Sequence, residues 1–564
     1  MNPCIPTPDS ASPSPGRIIQ HRLWFLAMGA VLAVILSGMA WRSLNFFSYH
    51  RFYTDSGVFA AVTQHLLAGK TLYREVWDHK PPMIYVIDSL PLALGDASVN
   101  AIRYSERFYA VAGILAIFFS LWLAFQNPWL AFVIATGFHL HFYDPEIFQG
   151  GNLTEEYGAV FVLIGIFLAL AARLGSSVLC RFKEECPPTE SIPLPVSPAG
   201  VRLISRERLI SRERWCSFFS GFFFSLAVFT KEPFLLSVLP WMVFLALPDG
   251  QAWKSVLRRV LVFILGFAFP VVVFFAYFIW NGILWDWLDV LTYNVQYSLH
   301  SRPGIPLLER VNTHFGVIAN SILRQSWTFL LLFLIGLAGC AYLPLVKKYQ
   351  GLPWVCAAAF FLDFSATMIS GYEIGHYYLQ VVPSYILVTG VGSALVLDQA
   401  RRFRFPARRL LAVFLLVLLG LDFVPLRNYF NRLSLPGGRA GIGALSQTLR
   451  EKARPGDTLW CGLGDNAKYY VESGLFSPTR YLYIFEHHFL DTWLSTGREK
   501  REILYRELTS RPPAFILLSD KQADRMRRMG LKPLVDWIAS DYQKSWEAVE
   551  QEVLIYIRKE YPAP

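Results

Sequence analysis

Five short clusters of acidic, basic and hydroxyl-bearing residues interrupt the apolar runs of this sequence. The first is Tyr53-Thr54-Asp55-Ser56-Gly57. A carboxylate at Asp55 can accept a proton from a hydroxyl brought within hydrogen-bond reach. It can equally cap a helix starting near Ser56, a common role for aspartate. The second cluster ends in Trp77-Asp78-His79-Lys80-Pro81-Pro82. Its prolines stop any preceding helix and push the residue before them away from helical geometry. Asp78, His79 and Lys80 are therefore expected in a defined loop, able to bind an anion or to form a polar turn with a snorkelling lysine. The third cluster runs from Asp144 to Glu156 and places Glu155 and Glu156 before an apolar run. Acids there suit a helix N-terminus, or face a shared polar cavity, because carboxylates at a membrane boundary are costly without partners. Lys231-Glu232-Pro233 interrupts the apolar run from Phe218 to Leu247, where a lysine can meet a phosphate or reach lipid headgroups. The last cluster, Gly371 to Tyr378, offers His376 and Tyr377. These residue types can donate to phosphate or sugar oxygens, or form part of an interfacial aromatic belt.

The elements that carry these clusters follow from composition. Of 564 residues, 54% are hydrophobic and 17% charged, against about 25% charged in soluble proteins. Mean hydropathy is +0.36. A spanning helix needs roughly 17–25 mostly apolar residues, and several runs reach that length. About eleven spans are expected: Leu23–Trp41, Phe108–Phe125, Trp129–Phe142, Tyr157–Arg173, Trp215–Phe229, Pro233–Leu247, Val256–Trp280, Trp327–Val346, Pro353–Ser370, Tyr377–Leu397 and Leu410–Pro425. The segment Met83–Leu94 is short for a span and reads as a helix lying at the interface. The fold class is a polytopic α-helical membrane protein with a C-terminal soluble α/β domain. Residues 1–22 form a Pro- and Ser-rich disordered tail, 23–425 the membrane domain, and 426–564 the soluble domain. Strands are predicted at Thr458–Cys461, Tyr481–Ile484, Ala514–Ser519 and Val553–Ile557, with helices at Ala444–Lys452 and Glu499–Arg511.

Charge sets the orientation. With the N-terminus in the cytoplasm, the loop at 174–214 carries Arg202, Arg206, Arg208, Arg212 and Arg214, and the later inner loops are also basic. The same pattern accounts for the net charge of +10 without nucleic acid, since basic loops flanking membrane helices explain it. That loop repeats Leu-Ile-Ser-Arg-Glu-Arg at Leu203–Arg208 and Leu209–Arg214, too briefly to be a solenoid. The loop at 42–107, the second acidic loop and the C-terminal domain then lie outside. Seven cysteines without a CxxC pair give no support for zinc or a disulfide framework.

Taken in order, Tyr53–Gly57, Asp78–Pro82, Asn152–Glu156, Thr230–Pro233 and His376–Gln380 resemble the GT-C glycosyltransferases. The resemblance is to the bacterial branch related to lipid A galacturonosyltransferases, protein O-mannosyltransferases and aminoarabinose transferases. It implies transfer of a sugar from a polyprenyl- or dolichyl-phosphate donor, presented from the outer leaflet, to a lipid, glycan or protein acceptor. It implies Asp55 as the catalytic carboxylate, with Glu155 or Glu156 as the second acid. Asp78, His79, Lys80, Lys231, His376 and Tyr377 fall into the substrate-binding set. Some relatives bind a divalent metal; no ligand set in this sequence requires one. The location implied is a bacterial inner membrane, with the C-terminal domain periplasmic or extracellular. A transporter or flippase of lipid-linked sugars is the competing reading, although no broken-helix repeats of the kind transporters show are visible. A glycan-binding scaffold would instead show no dependence on Asp55.

Overall fold

In a computed structural model, residues 15–47, 54–95, 99–184, 206–248, 253–300, 305–321, 326–369, 372–400, 443–484, 497–550 and 553–560 are described. The first part is helical: α1 (Pro15–Phe47), α2 (Thr54–Leu67), α3 (Met83–Leu94), α4 (Val99–Phe125), α5 (Pro128–Phe142), α6 (Pro145–Phe148), α7 (Thr154–Glu184) and α8 (Arg206–Thr230). Then come α9 (Leu235–Ala246), α10 (Trp253–Trp280), α11 (Leu284–His300), α12 (Leu307–Ser321), α13 (Trp327–Gly339), α14 (Leu343–Lys348), α15 (Leu352–Met368) and α16 (Val382–Ala400). Three segments among the described residues are long and apolar enough to cross a membrane: Val99–Phe125, Thr154–Leu174 and Trp253–Trp280. Shorter apolar helices accompany them, including Pro128–Phe142, Trp327–Gly339 and Leu352–Met368. The expected span Leu410–Pro425 lies outside the described residues, as do 1–14 of the tail and 185–205 of the basic loop.

Several boundaries differ from the sequence expectation for local reasons. Helix α1 already begins at Pro15, inside the segment expected to be disordered. Proline is well suited to a helix start, since its missing N–H would be unpaired there. The run Trp327–Val346 is not one helix but α13 and α14, divided around Cys340–Tyr342, with Pro344 starting the second. A proline inside a continuous helix would clash with the preceding turn. The run beginning at Tyr377 starts instead as a 3-10 turn, Gly375–Gln380, before α16. Two helices, α11 and α12, occupy the stretch between the expected spans Val256–Trp280 and Trp327–Val346.

Glycine pairs let the long helices approach closely. A Cβ on Gly221 of α8 would lie 2.0 Å from the carbonyl oxygen of Phe263, and one on Gly266 of α10 would lie 1.9 Å from that of Phe218. Gly336 of α13 and Gly392 of α16 face each other's backbones in the same way. Small residues at such crossings give helices in lipid the van der Waals contact that replaces a hydrophobic driving force.

The C-terminal part holds a four-stranded sheet of β1 (Leu459–Cys461), β2 (Phe515–Leu518), β3 (Tyr542–Glu550) and β4 (Val553–Arg558), in the order β1-β2-β4-β3. β1 and β2 run parallel, and the other neighbours are antiparallel. Alternation along the strands divides the burial. Leu459, Cys461, Phe515, Leu517, Val553 and Ile555 join the core shared with the N-terminal helices. Trp460, Ile516, Leu518, Leu554 and Tyr556 join a second core, which also takes in Leu504 and Met526 of the helices Gly497–Ser510 and Asp520–Arg528. The segment Tyr481–Ile484 forms no strand. Its carbonyls are taken elsewhere: that of Tyr481 accepts from the Trp460 indole at 3.1 Å and that of Leu482 from the Tyr470 hydroxyl at 2.8 Å.

Candidate functional site

Asp55 stands in the first turn of α2, half-buried, and not at its cap, because the helix already begins at Thr54. The helix dipole favours its charge there. Two contacts fix this turn. The Ser56 hydroxyl donates to the Gly151 carbonyl at 2.5 Å, and Gly57 lies so close to Lys468 that a Cβ would come within 2.8 Å of its amide nitrogen.

The loop before the paired prolines is built around a buried carboxylate. Asp78 is inaccessible to solvent and accepts from the His79 amide at 2.7 Å, the Tyr85 hydroxyl at 2.5 Å and the Tyr483 hydroxyl at 3.1 Å. Burial opposes its charge, but the bonds from His79 and Tyr85 and the nearby cations hold the carboxyl below the ordinary aspartate value. Tyr73, in the left-handed region at φ 66°, donates its hydroxyl to the Lys80 carbonyl at 3.0 Å. Non-glycine residues seldom adopt that conformation, and they are found at sites where the surroundings impose it. Lys80 itself is buried to 9% exposure. Desolvation works against its charge, yet Asp55 first, then Glu155, Asp78 and Glu232, hold it above the ordinary lysine value. Asp55 is thus the acid acting most strongly on Lys80.

Helix α7 begins with two acids whose side chains part company, as successive residues on a helix must. Glu155 pairs with the Lys231 ammonium and lies 3.6 Å from Nε2 of His376. The Thr154 hydroxyl donates to it at 2.7 Å. Glu156 is directed instead to the buried neighbourhood of Glu106, Arg103 and Asn152. There Arg103 holds Glu106 through two bonds of 2.7 and 3.0 Å, and the Asn152 amide donates to Asp88 at 3.0 Å.

Lys231 occupies the break between α8 and α9, just before a short 3-10 turn, Glu232–Phe234, that contains Pro233. Its ammonium sits 3.5 Å from the centre of the Tyr377 ring, a cation–π contact. Burial draws its pKa down, while Glu155 works the other way. His376 Nδ1 lies 2.7 Å from the Gln149 side-chain oxygen. Burial lowers the His376 pKa despite Glu155 and Asp55, so a neutral ring is the form to consider, and its approach to Glu155 is a polar contact before it is an ion pair. Asn294 of α11 donates to the His79 carbonyl and to Glu232, both at 2.8 Å.

The fold therefore gathers Asp55, Lys80, Glu155, Lys231, His376 and Tyr377 from five separate segments. Asp78 anchors the loop that carries Lys80. The His79 ring is turned toward Trp77, 6.4 Å away and stacked. Glu156 is not brought in. Sequence reasoning passed over Tyr73, Tyr85, Gln149, Glu232, Asn294 and Tyr483. Glu232 and Gln149 lay inside clusters already singled out, whereas Tyr483 carried no signal. Among the described residues, no three His, Cys, Asp or Glu side chains come together as a metal site. Chemically, the arrangement joins a half-buried carboxylate, able to take a proton, to two lysines able to hold an anion.

No family model matches the chain, and no curated protein does. Solved structures do. ArnT from Cupriavidus metallidurans in the apo state aligns with a TM-score of 0.53 at 12% identity, covering 95% of this chain and 98% of that one. The same protein bound to undecaprenyl phosphate aligns with 0.50 at 12% identity over 97% and 99%. The apo oligosaccharyltransferase of Archaeoglobus fulgidus aligns with 0.50 at 11% identity, over 95% of this chain and 75% of that one. Both proteins are GT-C glycosyltransferases. The chain shares their fold, as the motif resemblance implied, and with its apolar helices it belongs in a membrane.

Proposed function

We propose that the chain is a membrane glycosyltransferase that moves a sugar from a polyprenyl-phosphate donor to a lipid, glycan or protein acceptor on the outer face of the membrane. The observation that carries the reading is the convergence of Asp55 with Lys80 and of Glu155 with Lys231 and His376. An acceptor hydroxyl attacks the anomeric carbon as its proton passes to Asp55, which must come within hydrogen-bond reach. The bond from that carbon to the phosphate oxygen breaks, and its electron pair leaves with the phosphate. Attack opposite the departing phosphate inverts the anomeric centre. Lys80, which four acids hold charged, is the group set to meet the leaving phosphate, with Lys231 beside it. Glu155 keeps Lys231 in place. The fold shared with ArnT, which has been crystallised with undecaprenyl phosphate, supports a lipid-phosphate donor.

The test is a transfer assay with the purified full-length protein and a panel of radiolabelled polyprenyl-phosphate sugars, with membrane lipids, glycans and peptides as acceptors. Label is expected in an acceptor, together with free polyprenyl phosphate. If labelled lipid instead crosses reconstituted vesicles with its sugar still attached, the chain is a transporter and the proposal fails.

A further inference from the structure

We infer that the C-terminal part of the chain completes the site, with Tyr483 as a positioning residue that restrains Asp78 and thereby leaves Lys80 free to meet a phosphate. The inference rests on the reading of Lys80 as the phosphate-binding group. Tyr483 is buried and its hydroxyl donates to Oδ1 of Asp78, 405 positions earlier in the chain. It belongs to the core shared with the N-terminal helices, while its neighbours Tyr481 and Ile484 turn into the separate core of the C-terminal part. The segment around it is docked at further points. The Ser477 amide donates to Nε2 of His65 at 2.9 Å, and the Arg480 carbonyl accepts from the Trp77 amide at 2.9 Å. Glu507 of the helix Gly497–Ser510 holds the segment from behind, through Thr479 at 2.7 Å and Arg480 at 2.8 Å. The Tyr483 ring is therefore carried to Asp78 by a framework anchored on both sides.

The consequence concerns charge. Asp78 is a buried carboxylate among the acids acting on Lys80, though a weaker one than Asp55 or Glu155. Two tyrosine hydroxyls and an amide occupy its oxygens, and Nδ1 of His79 lies 3.1 Å from Oδ1, so its lone pairs are satisfied without Lys80. Removing the Tyr483 hydroxyl leaves Oδ1 to the His79 amide at 2.7 Å and the His79 ring nitrogen Nδ1 at 3.1 Å. A buried charge short of a donor seeks another, and Lys80, two residues on, is a lysine that already interacts with Asp78. Lys80 is then drawn into a direct pair with Asp78 and withdrawn from an incoming phosphate.

The test measures affinity, so it does not require turnover. Binding of undecaprenyl phosphate to the full-length protein in detergent is compared for wild type, Tyr483→Phe, Asp78→Asn and the double variant. Tyr505→Phe, an exposed tyrosine of the same part at 38% exposure, is the control. Tyr483→Phe should weaken binding roughly tenfold, the size set by a hydrogen bond to a charged group, with an unchanged elution profile. In the Asp78→Asn background, where no anion competes for Lys80, the same substitution should have little effect. Wild-type affinity in Tyr483→Phe, or an equal loss in both backgrounds, would overturn the inference. Failure of the wild type to bind would overturn it together with the phosphate role of Lys80. Binding without sugar transfer would leave the inference standing and remove the enzymatic reading alone.

Discussion

Two adjacent glutamates show how finely the residue scale divides labour. Glu155 holds Lys231 and faces His376, whereas Glu156 is directed into a buried polar cluster around Glu106. Glu155→Gln should therefore lower kcat/KM by about 10- to 100-fold, the range for losing a charged hydrogen-bond partner. Glu156→Gln should leave kcat within roughly 3-fold, because the amide keeps the shape of the carboxyl and the side chain is directed away from Lys80 and Lys231, toward Glu106 and Arg103. Equal losses in both variants would contradict this division. Asp78 gives a prediction in pH. Its folded pKa lies below the ordinary 3.8, after burial and hydrogen bonding have opposed each other. The stabilisation it provides is thus fully present above about pH 4 and is lost as the pH falls through the folded value. Thermal melts of wild type and Asp78→Asn should differ by a constant amount from pH 7 to pH 5 and converge in stronger acid. Divergence on acidification would contradict the assignment.

At the scale of elements, close helix crossings make the scaffold that the site needs. Gly266 of α10 allows no side chain against the Phe218 carbonyl, so Gly266→Val should force α8 and α10 apart and lower Tm by several degrees. Because α8 delivers Lys231, transfer should fall with it; a stable and fully active variant would refute the coupling. How much of this could be read from the chain depends on range. The paired prolines after Lys80 and the break at Lys231 were legible because proline acts locally. The division of Trp327–Val346 was not, since hydropathy is continuous across a run that Pro344 interrupts. Strand β3, Tyr542–Glu550, lacks a clear apolar alternation because Gln543 and Lys544, on opposite faces, are both polar and exposed, and it pairs on one side, at the sheet edge. Tyr483 lies in a segment whose local pattern predicts a strand. Its role comes from a partner 405 positions away, and no local pattern encodes that distance.

At the scale of the whole molecule, the proposed site and the C-terminal part meet through Tyr483 and Asp78 and through Arg480 and Trp77, and the positive-inside rule predicts the basic loops on the opposite side of the membrane. A cysteine introduced at Arg498, which is exposed beside the C-terminal core, should react with an impermeant thiol reagent in intact cells. One at Lys254, at the start of α10, should react after permeabilisation. The reverse pattern would invert the topology. The central claim, that Asp55 takes the acceptor's proton, is tested most directly by single-turnover transfer with Asp55→Asn, beside a measurement of donor binding. We expect the variant to bind donor within a few-fold of wild type, with transfer slowed by roughly 10²–10⁴-fold, the contribution of a general base. Transfer by Asp55→Asn at the wild-type rate would contradict it.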